Sequence, residues 1–297
     1  MKLLITGGSG LYGSKLAQLA TIKQYHVFSA YNQHPITYGH PIKLDITNKA
    51  RVEAALKKAQ PNVVVHSASL TDVDKCELDP KLAMKINVKG TDNIVQASKK
   101  INAFLLFIST DYVFNGEKGC YTETDQPSPI NYYGYTKLKA EEHVEKSDGE
   151  FCIARTSVIY GTTPAAGKTN FALWLLDKLN KKEQASVFTD QWNSPTLNTS
   201  LAEMTLEIVE RKLTGIYHLS GSTRISRFDF AILLAKTFKL DTNLIIPTLS
   251  TELFFPAKRP QDSSLNTSKA QQTLTNQPLQ IDEALKKFKA ELKRAGN

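Results

Sequence analysis

The chain has 297 residues, of which 41% are hydrophobic and 22% charged, and a formal net charge of +8. This balance describes a globular protein with a substantial core, as one large domain or two closely joined ones, and argues against disorder. Cys76, Cys120 and Cys152 are an odd set without metal-ligand spacing, which argues against a disulfide framework or a metal site and suits a reducing cytoplasm.

The N-terminus MKLLITGGSG meets glycines at once and does not read as a signal peptide, and no apolar run is long enough to span a bilayer. The basic residues come as dispersed pairs such as Lys57-Lys58 and Lys286-Lys287 on helical patterns, which reads as solvated helix faces. No basic block with interleaved aromatics appears, so neither nucleic acid nor membrane is an expected partner.

In chain order, β-branched runs at Leu3–Thr6, His26–Ala30, Val63–Ala68, Phe104–Ser109 and Phe151–Tyr160 alternate with helical patterns. Those helices fall at about Leu11–Ile22, Asn48–Ala59, Lys81–Lys100 and Tyr133–Lys146. Nearly continuous apolar strands separated by helices imply a parallel sheet covered on both faces, a doubly wound α/β (Rossmann) domain over residues 1–160. Beyond Gly161 the alternation breaks. Helices at Phe171–Lys182, Leu201–Arg211 and Arg227–Phe238, a strand at Gly215–Ser220 and a terminal amphipathic helix read as a smaller substrate-binding region, 161–297. That region is expected over the carboxyl edge of the sheet, with a boundary that can interleave.

TGGSGLYG (6–13) follows the first strand and opens the first helix. Gly7, Gly10 and Gly13 permit a tight turn and let backbone N–H groups approach a pyrophosphate at a helix N-terminus, which points to a dinucleotide. The stretch AYNQH (30–34) has no carboxylate to hold a ribose 2′-OH and no arginine to clamp a 2′-phosphate. Without that carboxylate nothing repels a 2′-phosphate, so NADPH is favoured and NADH stays open. Asp45 and Ile46 read either as lining of the adenine site or as a helix N-terminus.

At the end of AFLLFIST stand Ser109, Thr110 and Asp111, either capping the strand or facing a substrate. NYYGYTKLKAEE (131–142) offers two tyrosine–lysine pairs at i, i+4: Tyr133–Lys137 and Tyr135–Lys139. At 100° per residue, Lys137 shares a stripe with Tyr133, Glu141 and Val144, whereas Lys139 lies among Glu142, His143 and Lys146. Tyr133–Lys137 is therefore the pair expected to face the protein. His66 ends a strand without a metal-type partner and reads as structural.

With these residues in place, the chain resembles the extended short-chain dehydrogenase/reductase superfamily, and within it the dTDP-4-dehydrorhamnose reductases. The resemblance rests on TGGSGLYG, KLDITN, PNVVVHSAS, TDVDKCE, INVKGT, ISTDYVFNG, NYYGYTK, ARTSVIYG, GIYHLSG and KRPQDSSL, spread over nearly the whole chain. It implies a catalytic set of Thr110, Tyr133 and Lys137 in an NADPH-dependent reductase of a dTDP-4-keto-6-deoxyhexose. Tyr133 would protonate the alkoxide, Thr110 would hold the carbonyl oxygen, and Lys137 would bind the nicotinamide ribose and depress the tyrosine pKa. By the same resemblance Leu11, Tyr12, Asp45, Ile46, Ser69, Leu70 and Thr71 join Gly7, Gly10 and Gly13 as cofactor contacts.

Asp111, Val158 and Arg259 would meet the nucleotide-sugar substrate. Val158 stands where the sugar reductases carry a tryptophan, so the contact surface for the sugar is smaller. A second reading, a regulatory subunit similar to the methionine adenosyltransferase β subunit, shares that lack of tryptophan. An epimerase or dehydratase on the same scaffold fits less well, because Tyr112 follows Asp111 where a second acid-base group would be wanted. A homodimer or another partner subunit is compatible with either leading reading.

Overall fold

The computed structural model describes residues 1–163 and 169–295. In chain order the first half runs β1 (Lys2–Thr6), α1 (Leu11–Ile22), β2 (His26–Tyr31), β3 (His40–Lys43), α2 (Lys49–Ala59), β4 (Val63–His66), α3 (Val73–Leu78), α4 (Pro80–Ala83), α5 (Gly90–Lys100), β5 (Phe104–Thr110), α6 (Tyr132–Glu145) and β6 (Phe151–Thr156). The second half adds β7 (Ile159–Tyr160), α7 (Phe171–Asn180), β8 (Ala185–Phe188), β9 (Trp192–Asn193), β10 (Thr196–Leu197), α8 (Asn198–Arg211), β11 (Gly215–His218), β12 (Ile225–Ser226), α9 (Arg227–Phe238), β13 (Ile245–Thr248), α10 (Ser268–Thr273) and α11 (Ile281–Ala295).

Seven of these strands form one sheet in the order β11-β6-β5-β4-β1-β2-β3, every pair parallel. Strand alternation divides its side chains between two cores. Leu3, Ile5, Val63, Val65, Phe104 and Leu106 pack toward α1 and α8, while Leu4, Val64, Leu105, Phe107 and Ile153 pack toward α2, α5 and α6. The strand order reverses between β1 and β4, which opens a crevice at their carboxyl ends.

The second half serves two layers. α8 packs on α1, and β11 pairs with β6 as the seventh strand, so both belong to the large sheet. α7, α9 and α11 enclose a separate core of Tyr160, Leu175, Phe230, Leu234, Leu285 and Phe288 with the parallel pair β8–β13. The stripe Ile281, Ala284, Leu285 and Phe288 of the terminal helix is buried there. Local chemistry fixes the helix starts: Asn131 accepts from Gly134 N at 2.8 Å and Ser226 from Asp229 N at 2.9 Å, each satisfying an N–H that the helix leaves open.

Two elements depart from the sequence expectation. The single helix expected at Lys81–Lys100 contains a π-helical segment, Met84–Lys89, which turns Asn87 inward, fully buried. The strand expected at Phe151–Tyr160 breaks at Val158, whose φ is 32°. A β-branched residue seldom enters that region, and at this break Ser157 donates to Asp111 while Val158 lines the crevice.

Candidate active site

The crevice is a cavity of about 940 Å³ running from the glycine loop across the strand ends. Gly7, Gly10, Leu11, Tyr12, Gly13, Asp45, Ile46, Ser69, Leu70, Thr71, Thr110, Asp111, Tyr133, Lys137 and Val158 all line it. Arg259 does not. Its guanidinium forms two hydrogen bonds with Asp74, at 3.0 and 2.7 Å, which hold that carboxyl below its usual range, and a third at 2.8 Å with the Ala257 carbonyl.

The glycine loop fits a dinucleotide phosphate. Gly7 has φ 71°, and a Cβ on Gly13 would lie 2.2 Å from the Gly7 oxygen, so neither position admits a side chain without moving the turn. The cradle is therefore open backbone at the start of α1. Tyr12 lines the cavity from the first turn of α1, with its ring mostly buried and its hydroxyl donating to Thr205 Oγ1 of α8 at 2.8 Å. At the far end the wall is Tyr31, Asn32, Gln33 and His34, none of them acidic. Asp45 Oδ1 accepts from the Thr47 N–H and hydroxyl at 2.9 and 2.8 Å.

A buried hydrogen-bond chain ties this loop to the opposite wall. Thr6 Oγ1 lies 2.7 Å from His66 Nδ1, and His66 Nε2 lies 3.0 Å from Thr91 Oγ1. Thr91 gives its hydrogen to the Asn87 carbonyl at 2.6 Å, so it accepts from Nε2, and Nδ1 accepts from Thr6. His66 is thus neutral with the proton on Nε2, and burial lowers its pKa to about 3, helped by the Lys137 charge. The structural reading of His66 agrees with this geometry. Asn87 then accepts from Ser69 Oγ and Leu70 N at 2.9 and 2.7 Å and donates to Thr136 Oγ1 at 3.0 Å. It joins the 69–71 loop to α6.

α6 carries the tyrosine–lysine pair. A Cβ on Gly134 would lie 2.0 Å from the Tyr112 carbonyl oxygen, so this glycine allows the helix to seat against the turn after β5. Lys137 is 3% exposed, whereas Tyr135 is 39% exposed. Lys139 pairs with Glu142 at 2.7 Å on the outer face. Helix phase therefore selected the inward pair.

The electrostatics differ from expectation. Lys137 Nζ donates to the Ile108 carbonyl at 2.7 Å and sits 4.0 Å from the centroid of the Phe107 ring. Burial lowers its own pKa to about 7 against the raising pull of Glu141, whose carboxylate is held by Arg155 at 3.0 and 2.7 Å. The Tyr133 phenol is pushed up, chiefly by burial, with the neighbouring Thr110 hydroxyl pulling down. In this state the lysine is occupied by a backbone carbonyl and does not depress the phenol.

Asp111 is 3% exposed and ties three segments together. Its Oδ1 accepts from Thr110 Oγ1 at 3.0 Å, and its Oδ2 from Ser157 and Ser263 Oγ at 2.7 and 2.6 Å. Ser157, Ser263 and Asn87 stood in quoted motifs, but sequence gave no sign of their contacts. Arg227, the first residue of α9, was missed altogether. Among the described residues it is the one arginine lining the cavity, its charge pulls the Tyr112 phenol down against burial, and its Nε is buried without a partner. It also borders a second recess of about 320 Å³ walled by Phe171, Trp174, Phe188 and Phe255. No helix among the described residues is long and apolar enough to cross a membrane, and no group of three or more His, Cys, Asp or Glu side chains among them is placed to hold a metal ion.

The chain matches the family model for the RmlD substrate binding domain over residues 1–294. It is 33% identical to the dTDP-4-dehydrorhamnose reductase of Aggregatibacter actinomycetemcomitans, over 97% of this chain and 98% of that protein. The crystal structure of a dTDP-4-dehydrorhamnose reductase from Bacillus anthracis in complex with NADP aligns with a TM-score of 0.88 at 30% identity, over 98% of this chain and 99% of that one. Methionine adenosyltransferase 2 subunit beta of Xenopus tropicalis is 29% identical, over 90% of this chain and 81% of that protein.

Proposed function

Because the chain belongs to the dTDP-4-dehydrorhamnose reductase family, we propose that it reduces the C4 ketone of a dTDP-4-keto-6-deoxyhexose with NADPH, NADH being a second cofactor. The observation that carries this reading is the meeting of an open glycine cradle with Thr110, Tyr133 and Lys137 in one cavity. When bound, a nicotinamide dinucleotide would supply the hydride. Gly7, Gly10 and Gly13 would receive its phosphates, and the uncharged wall at Tyr31–His34 would leave a 2′-phosphate unopposed.

Tyr133 delivers the proton from its Oη to the developing alkoxide, and Thr110 fixes the position of that oxygen. A phenol kept protonated by burial suits an acid that must hold its proton until charge appears on the substrate. Lys137, with a pKa near the working range, orients the ribose and draws the phenol down once its ammonium leaves the Ile108 carbonyl. Arg227 sits between the catalytic cavity and the aromatic recess, where a nucleotide diphosphate and its base would lie. Val158 leaves room beside the sugar.

The test is oxidation of NADPH, followed by its loss of absorbance, with dTDP-4-keto-6-deoxy-L-mannose. Cofactor binding without turnover of this or related keto-sugars would overturn the reading. The small Val158 side chain and the 29% identity to an adenosyltransferase β subunit favour one other role, that of a regulatory partner. Stable association with a methionine adenosyltransferase catalytic subunit, in a protein that turns over no keto-sugar, would select it.

A further inference from the structure

We propose that His66 is a positioning residue for the reduction: a brace that fixes the 67–71 wall of the crevice between the glycine cradle and α6, and seats the ring on which Lys137 rests. The inference deepens the reductase reading above and rests on it. His66 is fully buried at the end of β4 and does not line the cavity, so it acts on the site through its neighbours.

Two arms leave the imidazole, and the first is hydrogen-bonded. Thr6 grips the start of the wall. Its Oγ1 accepts the Ser67 and Ala68 N–H groups at 3.1 and 3.2 Å, and its carbonyl accepts from Ser67 Oγ at 2.6 Å. The Thr6 hydroxyl then has its one hydrogen for His66 Nδ1, 2.7 Å away. Here the wall touches the cradle, since a Cβ on Gly7 would lie 3.0 Å from the Ala68 nitrogen.

Asn87 grips the other end. Its Oδ1 accepts from Ser69 Oγ and Leu70 N, and its Nδ2 donates to the Leu70 carbonyl at 3.1 Å and to Thr136 Oγ1 at 3.0 Å. Thr136 in turn donates to the Tyr133 carbonyl at 2.8 Å. The His66 Nε2–H ends on Thr91, which lies one turn beyond Asn87 and is bonded to its carbonyl. The imidazole thus spans the distance between the two grips on the wall.

The second arm is the face of the ring. His66 stacks on Phe107 of the neighbouring strand β5, with 5.6 Å between centroids and 28° between planes. Lys137 Nζ lies 4.0 Å from the centroid of that same Phe107 ring. Without the brace, the wall and the Phe107 ring can both shift. A displacement of about 1 Å at reacting groups costs ~10²-fold in rate.

The test compares variants of the bridge. His66→Phe fills the space and keeps a ring on Phe107 but carries no nitrogen. His66→Gln returns an N–H at the place of Nε2, and Thr91→Val removes the hydroxyl that receives it. H66F and T91V should weaken NADPH binding about tenfold in a fluorescence titration and lower kcat ~10²-fold, with the keto-sugar KM within about threefold of native. H66Q should lie nearer to native than H66F on both measures. The H66F/T91V double variant should lose no more than H66F alone, because both changes remove one bridge. His66→Leu, with no ring to stack, should be slower than H66F.

Native affinity and rate in folded H66F or T91V, H66Q no better than H66F, or additive losses in the double variant overturn the proposal. H66L as fast as H66F overturns the second arm. If H66F does not fold, T91V decides by the same readings. Nitrogen NMR of the imidazole should place its proton on Nε2, and a proton on Nδ1 overturns the bridge. NADPH affinity is read without turnover. A chain that reduces no keto-sugar but loses NADPH affinity in H66F and T91V upholds the brace and sinks the reductase reading. A native chain that binds no nicotinamide dinucleotide sinks both.

Discussion

Replacing Lys137 by methionine should make the unliganded protein more stable and catalytically dead. Lys137 is 3% exposed and its pKa falls from an ordinary 10.5 to about 7, because burial disfavours its charge. That interval corresponds to roughly 5 kcal/mol of folding free energy lost to the charged side chain. Methionine fills the same path but leaves the Ile108 carbonyl without its 2.7 Å donor, at a cost of ~1–3 kcal/mol. The net gain at neutral pH is then roughly 2–4 kcal/mol.

The sign follows from linkage. The penalty is full below the folded pKa of about 7 and fades as pH rises toward 10.5, where the unfolded chain also loses its proton. Denaturant unfolding of native and K137M proteins without ligand, from pH 6 to 10, should show a gap in favour of methionine that narrows upward through this window. K137M turnover should fall ~10²-fold or more. A variant less stable than native at pH 7, or a gap indifferent to pH, would refute the reasoning.

Tyr133→Phe should abolish turnover while Tyr135→Phe, on the exposed side of the helix, should leave it near native; NADPH consumption by the two proteins decides. Glu207 is buried, which raises its pKa, but the N–H groups of Asn276 and Thr275, then Arg211 and the Asn276 amide, outweigh this and bring it from 4.5 to about 2. A depressed carboxyl stabilises above pH 4.5, by roughly 3 kcal/mol, and loses that contribution as pH falls toward 2. Glu207→Gln should therefore be less stable than native at pH 7, with the difference shrinking in acid, as read by chemical denaturation at several pH values. Gly13→Ala would place a methyl 2.2 Å from the Gly7 oxygen and should weaken NADPH binding by at least tenfold in a fluorescence titration, with the sheet intact by circular dichroism.

What the sequence disclosed was whatever repeats with a local period. β-branched runs gave the strands, and the glycines of TGGSGLYG gave the cradle. A helical wheel alone was enough to choose Lys137 over Lys139. Contacts made across the fold carry no such period. Asn87 points inward because a π-turn shifts the helix phase, and nothing in INVKGT announces that shift. Ser157 and Ser263 reach Asp111 from segments 46 and 152 positions away, and Arg227 arrives at the cavity from the cap. The fate of Arg259 was set by Asp74, 185 positions earlier in the chain. Electrostatics were the least legible, since the pull of Lys137 on Tyr133 depends on which group takes the ammonium first.

The late return of β11 to the sheet has a consequence for how the protein is born. On the ribosome, β6 is made roughly 60 residues before the strand that covers its outer edge. At ~5–20 residues per second that edge waits several seconds with its backbone donors and acceptors unpaired. An uncovered parallel strand bearing Ile153 and Ala154 is a template for pairing with another nascent chain. Slowing elongation between residues 157 and 214 should lengthen that exposure and lower the soluble yield, and a chaperone that shields strand edges should restore it.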